Sequence, residues 1–314
     1  MMSSGNSPSF KHAWVTIGTF DGIHLGHRTI LERLVKGAKE ENSKAVVVTF
    51  FPYPAMVLKS IQEPYYLTTP EEKNRLMASL GVDSILTLHF DQRLASKTAH
   101  EFMQALYDQL HFSCLLIGYD FRLGRDREGD LEMLRKIGAE LGYCVHAIPA
   151  HQQLGQPVSS SRIRSLLAGG DVQTAASLLG RYYELSGEVI HGDGRGRHIG
   201  IPTANLDVWR EKMMPSSGVY AAIAELDGEF LQAVINVGSR PTFYNGDAIQ
   251  TIEAHLLDFQ GEIYGRRMTL QLVERLRPET KFENASALMD QIRKDIAMTR
   301  RVLDHASIEK DLSA

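Results

Sequence analysis

The chain has 314 residues, a formal net charge of −4 at pH 7, and hydrophobic and charged fractions of 43% and 23%. This length favours two domains of about 150 residues each, and the composition excludes disordered and collagen-like classes. The negative charge and scattered basic residues predict no nucleic-acid partner, and the lack of a long apolar run predicts no membrane segment and a cytoplasmic location. Both cysteines, Cys114 and Cys144, stand in apolar segments, which predicts buried free thiols.

Short apolar runs alternate with helical patterns from residue 13 to about residue 148. This rhythm predicts an α/β domain with a parallel sheet and right-handed crossovers. Because a run such as residues 45–50 is apolar on both faces, we expect helices on both sides of the sheet. The predicted strands are residues 13–17, 45–50, 84–90, 114–118 and 143–148, and the predicted helices lie around residues 25–40, 71–80, 98–110 and 129–141.

The first predicted strand leads into the sequence GTFDGIHLGH, residues 18–27. A helix should begin at its two histidines, and helix N-termini attract anions because their backbone N–H groups are unpaired. His24 and His27 lie three residues apart and should share one helical face. The turn also follows the carboxyl end of a strand, where open α/β sheets bind ligands. We therefore predict a phosphate site; the alternatives are ordinary capping and a metal site made with Asp21.

Two further motifs of the first half carry charge or hydroxyl groups. GYDFRLGR, residues 118–125, follows the fourth strand and supplies one acid and two arginines, although a solvated loop has the same pattern. SSSRIR, residues 159–164, places hydroxyls and guanidiniums at a predicted helix start, which suits a triphosphate, and a plain helix N-terminus is the alternative. Helices are predicted over 161–167 and 171–179, with Asp171 as N-cap and Gly180 as the stop.

After Gly180 the pattern changes to alternating or β-branched segments separated by turn residues. These segments, near residues 184–190, 218–226, 229–237, 250–259 and 267–275, predict an antiparallel sheet or small barrel. A final helix over residues 286–303 should pack on it through Met289, Ile292, Ile296 and residues 302 and 303. We place the domain boundary near residue 183.

The second half contains two candidate functional motifs. GDGRGRHIGIPTANL, residues 192–206, begins with glycines that let the backbone approach a ligand closely, and a hairpin turn is the alternative. Its Thr203 hydroxyl and Asn205 amide can serve Mg²⁺ and phosphate. In IEAHLLDF, residues 252–259, Glu253 lies on the strand face opposite Ile252. This carboxylate could accept the proton of an attacking hydroxyl, or it could simply belong to a solvated face.

Together with NVGSRPTF (236–243) and LRPE (276–279), these motifs resemble the bifunctional prokaryotic riboflavin kinase/FAD synthetase family nearly end to end. The resemblance implies a Rossmann-like HxGH nucleotidylyltransferase domain over residues 1–182 and a flavokinase β-barrel with a terminal helix over residues 183–314. It implies phosphorylation of riboflavin to FMN and then adenylyl transfer to FMN, giving FAD and pyrophosphate. The expected partners are riboflavin, FMN, FAD and ATP, and the expected metal is Mg²⁺. The alternatives are a riboflavin kinase with a degenerate adenylyltransferase domain and a non-catalytic flavin-binding regulator.

The resemblance also implies roles for particular residues. Glu253 would be the base of the kinase step, with Thr203 and Asn205 organising Mg²⁺-ATP. His24 and His27 would stabilise phosphate charge in the adenylyl step. The other implied contacts fall into two groups. The flavin would contact Asp120, Phe121 and Arg122. ATP and its phosphates would contact Gly18, Phe20, Asp21, Gly26, Ser160, Ser161, Arg164, Gly192, Gly194, Gly196 and Gly200.

One segment departs from the family pattern. Where the family commonly reads FEPHP after the second strand, this chain reads FFPYP at residues 50–54. Phe51 and Tyr53 thus replace an acid and a histidine. A tyrosine can donate a hydrogen bond but cannot carry the positive charge of an imidazolium near neutral pH. The departure bears on the adenylyl step and leaves the kinase step untouched.

Overall fold

The computed structural model describes residues 12–61, 63–192, 200–241 and 248–305. The chain forms two compact units, residues 1–63 with 68–159 and residues 64–67 with 160–314. The division at residue 159 precedes the predicted functional boundary at residue 183, so the helices between these positions belong to the second unit. No helix among the described residues is long and apolar enough to cross a membrane.

A five-stranded sheet forms the centre of the first unit, in the order β3-β2-β1-β4-β5. Every neighbouring pair is parallel, which confirms the predicted α/β architecture. The strands are β1 (Trp14–Ile17), β2 (Ala45–Phe51), β3 (Ser84–His89), β4 (Cys114–Gly118) and β5 (Cys144–Ile148). The helices are α1 (Leu25–Glu40), α2 (Pro54–Leu58), α3 (Pro70–Ser79), α4 (Gln92–Ala95), α5 (Ala99–Leu110) and α6 (Leu131–Leu141), with a 3₁₀ turn at Arg125–Arg127 and a small hairpin of β6 (Gln152–Gln153) and β7 (Gln156–Pro157).

Apolar clusters cover both faces of this sheet, as the continuous apolar strands predict. One cluster joins strand residues such as Val15 to Leu106 of α5 and Ile137 of α6. The other joins Trp14 to Leu34 of α1 and to α3. The α1 helix lies so close to the sheet that a Cβ added at Gly37 would stand 2.0 Å from the Trp14 ring. The close packing of Gly37 against Trp14 therefore fixes α1 on the sheet, and with it the turn that precedes α1.

The sheet order reverses between β1 and β4, because the chain continues from β1 to β2 on one side and from β4 to β5 on the other. Ligands of open α/β sheets bind beyond the carboxyl ends of the strands at such a switch point. The GTFDGIHLGH turn follows β1, and the GYDFRLGR loop follows β4. The topology thus brings the two motifs to neighbouring strand ends.

Only one of the two cysteines is buried as predicted. Cys114 is buried and Cys144 is exposed, and both are free thiols. The two residues are direct partners in the β4–β5 ladder. β5 is the edge strand of the sheet, and the apolar neighbours of a residue in sequence do not reveal an edge position.

The second unit contains a closed barrel in the order β10-β11-β12-β9-β8-β13, which confirms the predicted antiparallel β domain. Two helices, α7 (Ser160–Gly169) and α8 (Val172–Leu179), precede the barrel and α9 (Ala285–His305) follows it. Asp171 caps α8 by accepting from Thr174, and Gly180 ends it in the left-handed conformation, both as predicted. The strands are β8 (Tyr183–Ile190), β9 (Ala204–Val208), β10 (Gly218–Leu226), β11 (Glu229–Pro241), β12 (Ala248–Leu256) and β13 (Arg267–Arg277).

The terminal helix packs on the barrel through a face that differs slightly from the predicted one. Its buried residues are Asp295, Thr299 and Leu303, four positions apart along the helix. Leu303 contacts Ile223 and Val273 of the barrel. The predicted apolar residues Met289, Ile292, Ile296 and Val302 are half-buried and flank this line. Polar residues occupy its centre because Arg277 of β13 binds Asp295 there.

Candidate active sites

The two histidines of the HxGH turn lie together at the start of α1. His24 is the N-cap of the helix, and its Nδ1 atom accepts a hydrogen bond from the His27 backbone N–H at 3.2 Å. The two rings are stacked, with centroids 3.7 Å apart. His24 thus satisfies one helix donor while both imidazoles stay at the anion-attracting end of α1.

The small residues of the turn make this arrangement possible. A Cβ added at Gly26 would lie 3.2 Å from two atoms of the His24 ring, so a side chain there would push the imidazole away. A Cβ added at Gly18 would likewise lie 3.0 Å from the ring of Phe20. Phe20 is itself buried, and its ring lies 5.2 Å from that of His27. Gly18, Phe20 and Gly26 therefore shape the turn that was predicted to bind ATP.

Asp21 holds the HxGH turn in place through hydrogen bonds to its side chain. Its Oδ1 atom accepts hydrogen bonds from the Thr68 backbone N–H at 3.2 Å and from the Tyr53 hydroxyl at 3.3 Å. The Thr68 hydroxyl accepts from the backbone N–H of Gly22, which ties the same turn to the start of α3. Only 1% of the Asp21 side chain is exposed. The residue predicted as a phosphate contact thus holds the turn in place.

The electrostatic surroundings keep His27 neutral. Burial, the neighbouring His24 ring and the ammonium of Lys73 together lower the pKa of His27 well below its usual range. Its Nδ1 atom is buried without a hydrogen-bond partner in the described part of the chain. The sequence reasoning did not identify Lys73, because a single lysine in a helical pattern gives no signal of its depth.

The loop after β4 lines an open groove of about 640 Å³. Asp120, Phe121 and Arg122, the predicted flavin contacts, stand on one side of it and residues at the start of α6 on the other. Arg122 forms an ion pair of 3.8 Å with Asp130, and both side chains are about half exposed. The groove has both an aromatic ring and charged groups.

A metal site at the HxGH turn gains no support. Among the described residues, the group of ligand atoms close enough to hold an ion is that of Cys114, Cys144 and His146, within 4.8 Å of one another. These residues stand on β4 and β5, away from the histidine turn. His24 and His27 instead form a stacked pair at a helix start.

The SSSRIR motif begins a helix, as predicted, and its arginine contacts Tyr65. Ser160 and Ser161 form the first turn of α7, which belongs to the second unit. The Arg164 guanidinium lies 3.7 Å from the ring centre of Tyr65, and its Nε donates to the Tyr65 carbonyl at 2.8 Å. Arg164 thus joins α7 to residues 64–67.

The barrel of the second unit places Glu253 between two asparagines. In the strand register Glu253 of β12 is opposite Asn236 of β11 on one side and Asn205 of β9 on the other. Directly opposed residues share a face of the sheet with their Cβ atoms about 5 Å apart. The alternate residues Ile252 and Ala254 are buried in the barrel, as predicted. A carboxylate and two amides therefore stand side by side on one face.

The loops at this face lie close to the polar row. A Cβ added at Gly192, just after β8, would stand 2.1 Å from the Asn205 amide nitrogen, so a larger residue there would displace this amide. The Nδ1 atom of His255 lies 2.8 Å from the carbonyl of Pro202, and because a carbonyl only accepts, this nitrogen must donate. The bond fixes the segment that carries Thr203. Gly200 is described and exposed, whereas Gly194 and Gly196 lie outside the described residues.

Two residues of this site received no role from the sequence. A Cβ at Gly238 would lie 3.3 Å from the amide nitrogen of Asn236 and 3.2 Å from a carboxylate oxygen of Glu279. Asn236 and Glu279 thus approach the same point beside Glu253. They belong to the NVGSRPTF and LRPE runs, so the family resemblance was the available signal for them.

The HxGH turn at the switch point of the sheet defines the α/β unit as a nucleotidylyltransferase-type domain. The antiparallel barrel, with its row of a carboxylate and two amides, is a second catalytic domain in the same chain. Comparison with known proteins gives the same division. Residues 6–162 match the family model described as FAD synthetase, and residues 179–303 match the one described as riboflavin kinase. The chain therefore belongs to the family of bifunctional riboflavin kinases/FMN adenylyltransferases.

Individual relatives cover almost the whole chain. The bifunctional riboflavin kinase/FMN adenylyltransferase of Escherichia coli K12 is 38% identical over 283 residues, 90% of each chain. That of Pseudomonas fluorescens is 38% identical over 294 residues, 93% of this chain and 94% of the relative. A solved structure from Streptococcus pneumoniae, described as a macrolide-efflux protein, is 32% identical with a TM-score of 0.85, covering 94% of this chain and 95% of that one.

Proposed function

We propose that the protein catalyses two successive ATP-dependent reactions of flavin cofactor synthesis. The first phosphorylates riboflavin to FMN, and the second transfers an adenylyl group from ATP to FMN, giving FAD and pyrophosphate. The observation that carries this proposal is that each half matches one of the two enzyme families and presents its own polar site. We assign the adenylyl step to residues 1–182 and the kinase step to residues 183–314, and we place both in the cytoplasm, where ATP is available.

In the kinase step, Glu253 accepts the proton of the ribityl 5′-hydroxyl as the hydroxyl oxygen attacks the γ-phosphorus of ATP. The bond between this phosphorus and the β–γ bridging oxygen breaks, and ADP leaves. The register supports this role because the two asparagines beside Glu253 supply amide donors and acceptors that can orient both reactants. Phosphoryl transfer needs mainly alignment and neutralisation of charge. We place the Gly192–Gly200 loop over the phosphates.

The donor set around Glu253 fits Mg²⁺. Thr203, Asn205 and Glu253 offer hydroxyl, amide and carboxylate oxygens, which are the hard ligands that this ion prefers. The close approach of Gly192 to Asn205 leaves the loop backbone beside the same amide. Thr203 and Asn205 would hold the ion. When bound, Mg²⁺ neutralises charge on the phosphate oxygens of ATP.

In the adenylyl step, a phosphate oxygen of FMN attacks the α-phosphorus of ATP. The bond from this phosphorus to the α–β bridging oxygen breaks, and pyrophosphate leaves with the electron pair. His24 and His27 stand at the N-terminus of α1, where N–H donors and the helix dipole stabilise phosphate charge. We assign Ser160, Ser161 and Arg164 to ATP, and Asp120, Phe121 and Arg122 to the flavin, the latter supported by their place in the groove.

Two substitutions separate the reactions. Glu253→Gln keeps the shape of the side chain but cannot accept a proton, so FMN formation should fall at least about 100-fold. FAD formation from added FMN should remain. His27→Ala should do the reverse. Both products are measured by chromatography after reaction with riboflavin or FMN, ATP and Mg²⁺.

Glu188→Gln is the matched control, because Glu188 is an exposed carboxylate on a strand of the same barrel. It should leave both rates unchanged. If Glu253→Gln abolished both reactions in a folded protein, or neither, the assignment of separate sites would be wrong.

A further inference from the structure

Lys73 of α3 is a charged side chain in an unusual place. It is 4% exposed, whereas lysines are almost never fully buried without a specific partner. Its ammonium donates to the Thr49 hydroxyl of β2 at 3.1 Å and lies 4.9 Å from the centre of the Tyr53 ring. The Thr49 hydroxyl and the Tyr53 ring thus hold a buried positive charge near the turn that carries the two histidines.

The Lys73 ammonium interacts electrostatically with two residues of the histidine turn, Asp21 and His27. Burial lowers the pKa of Lys73, and the carboxylate of Asp21, at the centre of the turn, partly offsets this lowering. Burial and the neighbouring His24 ring lower the pKa of His27, and the Lys73 charge adds to this lowering. Lys73 therefore interacts with both the anchor of the turn and the histidine at its functional end, while its own helix start is fixed by the Thr69–Glu72 capping box.

We propose that Lys73 is a positioning residue for adenylyl transfer, whose buried ammonium, held by Thr49 and the Tyr53 ring, supplies fixed positive charge behind the turn that precedes α1. This inference rests on the proposed adenylyl function. It gives the FFPYP departure a physical reading. Tyr53 cannot carry the positive charge of the family's histidine. Its ring contacts the Lys73 ammonium and its hydroxyl donates to Asp21, so Lys73 supplies a positive charge next to Tyr53.

The charge acts on the bond changes of the reaction. As the FMN phosphate oxygen bonds to the α-phosphorus and pyrophosphate departs, negative charge moves toward the leaving group. A positive charge that is already in place in a site of low dielectric stabilises this change without reorganisation. A neutral His27 remains a hydrogen-bonding partner and places no second like charge beside Lys73.

The first test replaces Lys73 by methionine, which keeps the length of the side chain. The kcat/KM of FAD formation for ATP at pH 7 should fall about 10–100-fold, less than the loss expected for a direct donor. Riboflavin phosphorylation by the same molecules should be unchanged, and thermal unfolding reports whether the first unit, which carries Lys73, is folded. Lys36→Met is the control, because Lys36 is an exposed residue of α1 that pairs with Glu40. A double variant with Tyr53→His should recover part of the lost rate.

The second test uses the pH profile, which a merely structural role would not alter in shape. Burial lowers the pKa of Lys73 to about 8. The kcat/KM for ATP reports the free enzyme, and phosphate groups titrate near pH 6, about two units lower. In the unsubstituted protein this parameter should therefore decline as pH rises through about 8, since the charged form is the active one. The decline should be absent in Lys73→Met and moved to higher pH in Lys73→Arg.

The possible results separate two failures. If Lys73→Met keeps FAD formation within twofold, or keeps the alkaline decline, the proposal for Lys73 is overturned. If the unsubstituted protein forms no FAD at any pH, the proposed adenylyl function itself fails.

Discussion

The two histidines of the HxGH turn have different roles: His24 caps the helix α1, and His27 is held as a buried neutral ring. Since His24 Nδ1 accepts the His27 backbone N–H, a neutral His24 carries its proton on Nε2. His27 is kept neutral by burial and by two basic neighbours, and its Nδ1 has no hydrogen-bond partner among the described residues. His24 thus caps the helix, and the neutral ring of His27 is stacked on it at the helix start.

This division makes a prediction for His24. Asparagine is a good N-cap but lacks the imidazole, so His24→Asn should preserve stability and lower FAD formation about 100-fold. His24→Ala should lose the rate and also about 1 kcal/mol of stability, because it removes the cap. Thermal unfolding and FAD formation from FMN measure the two effects. Equal unfolding temperatures for both variants would show that the cap carries no stability.

At the scale of single residues, the sequence predicted those whose role follows from local chain geometry. The histidine turn, the Asp171 cap and the burial pattern around Glu253 are local, and all were found where expected. Lys73 and Asn236 were missed because tertiary packing brings them to the sites. The exposure of Cys144 was also missed, since the edge position of a strand depends on the whole sheet.

At the scale of elements, α9 is fixed to the barrel by a buried ion pair. Arg277 of β13 donates from Nε and from an NH2 nitrogen to the carboxylate of Asp295, at 3.0 and 2.8 Å. The side chains are 19% and 5% exposed. Gln291 donates to the same carboxylate at 2.9 Å. The apolar contact of Leu303 completes the attachment.

Removing one partner of this pair should destabilise the second unit strongly. Asp295→Ala leaves the Arg277 charge half-buried and unpaired, a loss of about 3–5 kcal/mol in the free energy of unfolding. Asp290→Ala is the matched control, because Asp290 pairs with Arg293 at the exposed surface of the same helix. It should change stability by less than about 0.5 kcal/mol. Similar midpoints of denaturant unfolding for the two variants would contradict the role of the buried pair.

Long periodic elements were predicted and short ones were not. The parallel sheet and the barrel followed from apolar or alternating runs of five or more residues that recur along the chain. The helices α2 and α4 have five and four residues, which is too few to show a period. The strand β9 begins inside the PTAN motif, whose proline and threonine indicate a loop, and it becomes a strand because β8 and β12 pair with it.

At the scale of the whole molecule, one chain carries two units, each with its own polar site. The family models assign the FAD synthetase domain to one and the riboflavin kinase domain to the other. The product of the kinase reaction, FMN, is the substrate of the adenylyl reaction, so the two activities form a sequence. The order of appearance of the products is therefore a property of the complete chain.

The measurement that tests this account most directly is a time course of the purified chain with riboflavin, ATP and Mg²⁺, in which riboflavin, FMN and FAD are separated by chromatography. A parallel reaction starts from FMN. We predict that FMN appears first and FAD follows, and that FAD forms without delay from added FMN. Formation of FMN alone, with no FAD even from added FMN, would contradict the central claim that both units are catalytic.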